Sequence, residues 1–256
     1  MRIGRPGQCE IAARLLAAAC AVSAVQMIGF VTVAGMTRPG YDPNRNWISQ
    51  LSLGPGGPLA TANMVCCGIW LLLGAEGLRR RLQLTRSGRW AAVLVFWCGA
   101  CLVVLAALPT DAGIGYPPDV APTRTGVGFA HQVVAIVLGV AGVAAAVVLG
   151  RCLGLGRVGA FVAVVMAVAF VAGSVLVVLD DAGVLPGNPS GLFERVALFT
   201  GLVWIGLLSL KAAARGQDAG REEDVGRAKV PARIANAGRR ETGLVVERPL
   251  SERPRP

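Results

Sequence analysis

The sequence predicts an all-α protein: a polytopic bundle of six membrane-spanning helices with both termini in the cytoplasm. Three observations carry that expectation. Of the 256 residues, 54% are apolar and 16% charged, whereas a soluble domain carries about 25% charged residues. The apolar residues are gathered into six runs of near-membrane length, and arginines crowd every second connection between them. With a mean hydropathy of +0.59, these features exclude an ordinary soluble enzyme and a wholly disordered chain. The glycines follow no three-residue period, which excludes a collagen-like fibre.

A spanning helix needs roughly 20 mainly apolar residues, because about 30 Å of hydrocarbon is crossed at about 1.5 Å per residue. The first run is Leu15 to Met36. Arg2, Arg5 and Arg14 precede it in the manner of a secretory signal, but the run outlasts the core of about 7–15 residues that such signals carry. It reads as an uncleaved first span. The second run, Leu59 to Ala75, closes on Glu76, with Arg79 and Arg80 at the spacing that pairs on a helix surface. Trp90 to Leu108 is the third. Gly126 to Leu149 is the fourth, interrupted only by His131. Val158 to Leu179 is the fifth, and Leu192 to Leu210 the sixth, with Glu194 and Arg195 in its opening turn. The chain thus divides into a cytoplasmic segment 1–14, a transmembrane domain 15–210 and a tail 211–256.

Lys and Arg in short flanking loops set orientation. One side receives Arg2, Arg5 and Arg14, then five arginines from Arg79 to Arg89, then Arg151 and Arg157, then the tail. The other receives only Arg38 and Arg45, then Arg124, then Arg195. Loops 37–58, 109–125 and 180–191 are therefore expected outside a bacterial inner membrane. The net charge of +10 follows from this bias and the tail, so a nucleic-acid partner is not needed to explain it. The tail mixes Arg with Asp, Glu and Gly and has no sustained apolar stripe, which predicts a disordered cytoplasmic segment.

The outward loops hold the chemistry. Loop one reads RPGYDPNRNWISQLSLGPGG, and Asp42 before Pro43 is a good helix start. A short helix from there would put Trp47, Ile48 and Leu51 on one face, lying at headgroup level with Trp47 as anchor. Asp111 follows span three, and His131 stands about one turn inside span four, so both sit at the outer end of adjacent helices. A charge at mid-bilayer costs about 2.5–3.5 kcal/mol on insertion scales, and no Asp, Glu, Lys or Arg is placed there. The polar groups collect on the outer rim instead.

RPGYDPNRNWISQLSLG after the first span, LPTD closing the third, His131 in the fourth and GLFER opening the sixth together resemble the bacterial domain-of-unknown-function 998 family. The resemblance covers residues 13–210. It implies a compact helical bundle of the inner membrane with no established reaction, and marks Asp42, Ser49, Asp111, His131, Glu194 and Arg195. Where the family pattern has an acid after the serine, this chain has Gln50, which weighs against a catalytic carboxylate there.

Three readings of the rim follow. In the first, Asp42, Asp111, His131, Glu194 and Arg195 form a structural or ligand-binding polar site: Asp111 or Glu194 bonds His131, and Arg195 neutralises an acid. In the second, a membrane-embedded hydrolase acts on a lipid-borne ester or amide, with His131 as general base, Asp111 orienting it and Ser49 or a water attacking. The third is a small-molecule transporter with a polar path past Gln26 or Ser174. One histidine is too few for the usual zinc hydrolase, so neither metal nor cofactor is expected. The expected partners are membrane lipids and a second copy of the chain. Cys98 and Cys101 form a CGAC string near mid-bilayer, and with Cys20, Cys66 and Cys67 they read as small packing residues and not a redox relay. Gly139, Gly142 and Ala146 in span four, and Ala163, Ala167, Ala172 and Gly173 in span five, have the small-residue spacing that lets helices approach closely in lipid.

Overall fold

The computed structural model describes the backbone of residues 6–238 and the side chains of residues 8–215. Six long helices follow one another: α1 (Pro6–Thr37), α2 (Gly57–Leu82), α3 (Arg86–Ala107), α4 (Gly126–Cys152), α5 (Gly156–Asp181) and α6 (Ser190–Gly238). No strand occurs among the described residues. Each helix contains a stretch long and apolar enough to cross a membrane, so the protein is an integral, multi-pass membrane protein. The six expected runs lie inside these helices, except that the third ends on Leu108, the C-cap of α3. The helices are longer than the runs because capping and Arg-rich turns extend them into the interface. Thr85 accepts from the Gly88 N–H at 3.0 Å to start α3, and Thr125 accepts from the Gly128 N–H at 2.9 Å to start α4. Glu76 pairs with Arg79 at 2.6 Å and Arg80 at 2.7 Å at the end of α2, as its spacing predicts.

The chain separates into two compact units, Met1–Ala214 and Arg215–Pro256. The helix that begins as the sixth span continues to Gly238 through a segment rich in Ala, Arg and Glu, all good helix formers. The expectation of disorder covers residues 211–256; of these, 239–256 lie outside the described residues, as do residues 1–5.

Within the first unit α1 to α5 pack in sequence order, each against the next. The chain then returns through the middle: α6 is the most buried of the six spans and α5 the least. Trp204 of α6 donates to the Ala146 carbonyl of α4 at 3.1 Å, and a Cβ on Gly206 would meet the Ala21 backbone of α1 at 3.1 Å. Small residues of α4 and α5 serve contacts within one chain, mostly between these two helices, while Gly173 packs against the first turn of α6. Gly139 stacks on Phe170, Gly142 on Met166, and Gly159 comes so close that a Cβ there would lie 2.7 Å from the Ala146 carbonyl oxygen. Outside, Phe161, Val164, Val168, Val171, Val175 and Val178 line one exposed face of α5. In lipid such a face is already solvated.

Between α1 and α2 the interior polar groups are paired. Gln26 donates to Asn63 at 3.1 Å, Trp70 donates to Gln26 at 2.9 Å, and Ser23 donates to the Cys67 carbonyl at 3.0 Å. Gln26 is therefore bonded on both ends of its amide and acts as an interhelical tie. Asn63→Leu alone, which strands the Gln26 amide hydrogens, is expected to cost about 1 kcal/mol. Asn63→Leu combined with Gln26→Leu should cost less than the sum of the two single changes in reversible unfolding in mixed micelles. All seven cysteines are free thiols.

Candidate functional site

Three connections meet at one end of the bundle, at the C-terminal ends of α1, α3 and α5 and the N-terminal ends of α2, α4 and α6. This rim is where every residue marked from the sequence is found. The expected surface helix of loop one does not form. The Asp42 carbonyl closes a tight turn on the Arg45 and Asn46 N–H groups, at 3.1 and 2.7 Å. Only a short 3-10 helix, Ile48–Ser52, follows, and its first four residues are buried. Tertiary bonds overrule the local helix start. Asn46 donates to the Ile114 carbonyl at 2.9 Å and accepts from the Asp42 N–H at 2.8 Å. Gln50 donates to the Gly113 carbonyl at 2.6 Å and accepts from the Trp47 N–H at 2.9 Å. An amide does both jobs; a carboxylate at position 50 has no proton to give Gly113, so the glutamine is suited to this place. Loop one is thereby pulled into the mouth of the bundle, and Trp47 turns inward instead of anchoring at the surface.

Arg195 holds this loop from below. It is 8% exposed and donates to the Asn46 carbonyl at 2.8 Å, the Gly191 carbonyl at 2.9 Å and the Tyr41 hydroxyl at 2.5 Å. Its guanidinium carbon lies 5.6 Å from the Tyr41 ring centroid, within the range of a cation–π contact. Burial pushes the Tyr41 hydroxyl above the ordinary phenol range. The phenol thus keeps its proton, which it gives to the Trp47 carbonyl at 2.7 Å. Arg195 forms no ion pair among the described residues; it neutralises the carbonyl ends of loop one and not an acid. Tyr41 also meets Tyr116 edge to face at 5.2 Å, joining loops one and three.

Asp42 and Asp111 turn out to be local caps. Asp42 accepts from the Asn44 N–H at 2.9 Å. Asp111 accepts from the Thr125 N–H at 2.9 Å and the Thr125 hydroxyl at 2.7 Å, so it ties the end of α3 to the start of α4. His131, 2% exposed, does not bond Asp111. Its Nδ1 stands 2.7 Å from the Leu108 carbonyl, the C-cap of α3. A carbonyl only accepts, so Nδ1 carries the proton. The Ser49–His131–Asp111 arrangement thus lacks its orienting carboxylate, which is committed to Thr125.

Ser49, His131 and Glu194 are nevertheless brought together, by shape. All three line a chamber of about 120 Å³ that runs down among the helices past Met64, Leu102 and Leu105 to Leu71. Leu71 is fourteen residues into α2, or about 20 Å below the rim at 1.5 Å per residue. A second space of about 280 Å³ adjoins it, walled by Ile136, Val178 and Ser174 on the outer faces of α4 and α5. Trp47, Gln132, Ala135, Phe170 and Glu194 border both. At the polar end Glu194, half-buried in the second turn of α6, accepts from the Ile48 N–H at 2.7 Å through Oε2. Its Oε1, the Ser49 hydroxyl and His131 Nε2 have no hydrogen-bond partner among the described residues. None is sealed in: the described buried side-chain nitrogens and oxygens left without a partner are Arg14 Nε and Ser209 Oγ.

Arg45 pairs with Asp180 at 3.2 Å above the chamber, and Arg124 with Asp181. The Arg45–Asp180 pair is partly open to solvent, so a double-mutant cycle is expected to return a coupling of about 0.5–1 kcal/mol that shrinks in high salt. The sequence marked neither Arg45 nor Asp180 as part of a site, nor Asn46, Gln132 and Tyr116. The density of Asn, Gln and Tyr in two otherwise apolar-flanked loops was the available signal. Among the described residues no group of three or more His, Cys, Asp or Glu is placed to hold a metal ion.

Searches of curated proteins and of solved structures each returned no match. A family profile described as "Protein of unknown function (DUF998)" matches residues 16–211, which takes in all six spans and every residue of the chamber.

Proposed function

The chain belongs to the protein family of unknown function DUF998, and for this member we propose a binding function: a membrane-embedded receptacle for a single-chain amphiphile. One observation carries the reading. An apolar chamber that reaches Leu71, about 20 Å below the rim, has at its polar end Glu194 Oε1, the Ser49 hydroxyl and His131 Nε2, for which the described residues supply no partner. A site where accessible, unpaired polar side chains stand beside an apolar shaft is suited to a molecule with one wet end and one oily end. The arginine distribution supports a rim on the outer face of the plasma membrane. The outer space between α4 and α5, bordered by exposed Ile136 and Val178, supplies a lateral way in from the bilayer. The paired Gln26 and the absence of charge at mid-depth argue against a continuous transport path.

The test is extraction of the purified protein, followed by mass spectrometry of small molecules retained through detergent exchange. Ala135→Phe, which fills the septum between the two spaces, should lose the retained species while keeping its thermal stability. Equal retention by Ala135→Phe and the parent, or no species enriched over the surrounding detergent extract, would sink the proposal.

A further inference from the structure

The chemistry of the chamber's polar end goes further than its shape, and the next step rests on the receptacle reading. Each polar atom facing the chamber can be assigned a role. The Leu108 carbonyl forces the proton onto His131 Nδ1, which in the neutral imidazole leaves Nε2 bare. Nε2 then offers only a lone pair. Glu194 has Oε2 engaged by the Ile48 N–H, which leaves Oε1 as a second acceptor. Ser49, 9% exposed, has a hydroxyl that gives or accepts. The strongest donors nearby are committed elsewhere. Arg195, next to Glu194, points its guanidinium at Tyr41, Asn46 and Gly191, and the Tyr41 proton goes to carbonyls of loop one. Gln132, on the septum, supplies an amide that can turn either end.

We propose that the chamber selects amphiphiles whose head donates hydrogen bonds and carries no negative charge, an alcohol or a primary amine, and excludes those with a carboxylate or phosphate head. An amine head has two or three donors for Glu194 Oε1, His131 Nε2 and the Ser49 hydroxyl. A carboxylate brought to the same place faces the Glu194 carboxyl and the His131 lone pair, and is received only by the neutral donors of Ser49, Gln132 and the Trp47 indole. Discrimination on this ground comes from setting acceptor against acceptor in a mostly apolar chamber.

The experiment compares octylamine, octanol and octanoate, which share one chain and differ in head. Each is titrated against the protein in phosphatidylcholine nanodiscs at pH 7.5, and the midpoint of thermal unfolding is read. Ala135→Phe serves as the chamber-blocked control for partition into the bilayer. Octylamine and octanol are expected to raise the midpoint of the parent and not of Ala135→Phe, and octanoate to raise neither. Glu194→Gln, which puts an amide donor in place of the carboxyl, should weaken octylamine at least tenfold and admit octanoate. If octanoate stabilises the parent as well as the other two and Ala135→Phe abolishes all three effects, the receptacle stands and the head-group selectivity falls. If no compound acts differently on parent and Ala135→Phe, both fall. Should Glu194→Gln fail to assemble, the three-compound series on the parent decides the matter alone.

Discussion

Arg195→Leu is expected to give the largest single loss of stability in the bundle, about 3 kcal/mol in reversible unfolding in mixed micelles. The substitution keeps an apolar side chain of similar reach but removes the donors that hold two carbonyls and the Tyr41 hydroxyl. Hydrogen bonds to a charged group are worth about 1.5–3 kcal/mol each. Part of that is returned, because a buried guanidinium also carries a desolvation cost that Leu does not. Arg195→Lys keeps the charge and loses the planar fork, so it should recover less than half of the loss. Arg124→Leu is the comparison: its pair with Asp181 is exposed on both sides, and its loss should stay under about 1 kcal/mol. An Arg195→Leu loss no larger than that of Arg124→Leu would mean that loop one is held by something other than this guanidinium.

The spans were legible because hydrocarbon imposes two requirements that a sequence displays openly, length and the absence of charge. The Glu76 pairing was legible because helical spacing alone determines it. Loop one was not. Asp42–Pro43 is a sound local start for a helix, but the local gain from a cap is about 1 kcal/mol, and it competes with bonds from Asn46, Gln50, Tyr41 and Arg195 to partners 63 to 154 residues away in sequence. No periodicity announces such partners. Asp111 shows the same limit from the other side. The sequence placed it near His131 with good reason, and Thr125, the first residue before α4, stood equally near. The N-terminus of a helix offers free N–H groups that a carboxylate satisfies directly, whereas His131 had already found the last carbonyl of α3. Residue types marked the rim correctly as the place where polar groups gather. The division of those groups into ties and free acceptors depends on which carbonyls each reaches.

Gly191→Ala tests the coupling between the rim and the chamber without touching any chamber side chain. Gly191 lies in the first turn of α6, and a Cβ there would collide with the Asn46 carbonyl oxygen and lie 2.9 Å from the Arg45 carbonyl carbon. Both are backbone, so loop one has to move as a whole. The shift would break the Arg195 bond to Asn46 and the bond from the Leu192 N–H to the Asn44 carbonyl, 2.9 Å in the native form. Overpacking of this kind costs about 1–3 kcal/mol, and the upper part of that range is expected here because two tertiary bonds go with it. Trp47, Ile48 and Ser49 ride on the same loop and form part of the chamber wall, so Gly191→Ala should also lose the retained small molecule. Gly126→Ala provides the matched control. A Cβ at Gly126 meets nothing within 4 Å, and as the first residue of α4 it should gain a few tenths of a kcal/mol from the better helix former while retaining the ligand. Loss of stability in Gly191→Ala with full ligand retention would separate the two functions of loop one and show that the chamber keeps its form without the Asn46–Arg195 clasp.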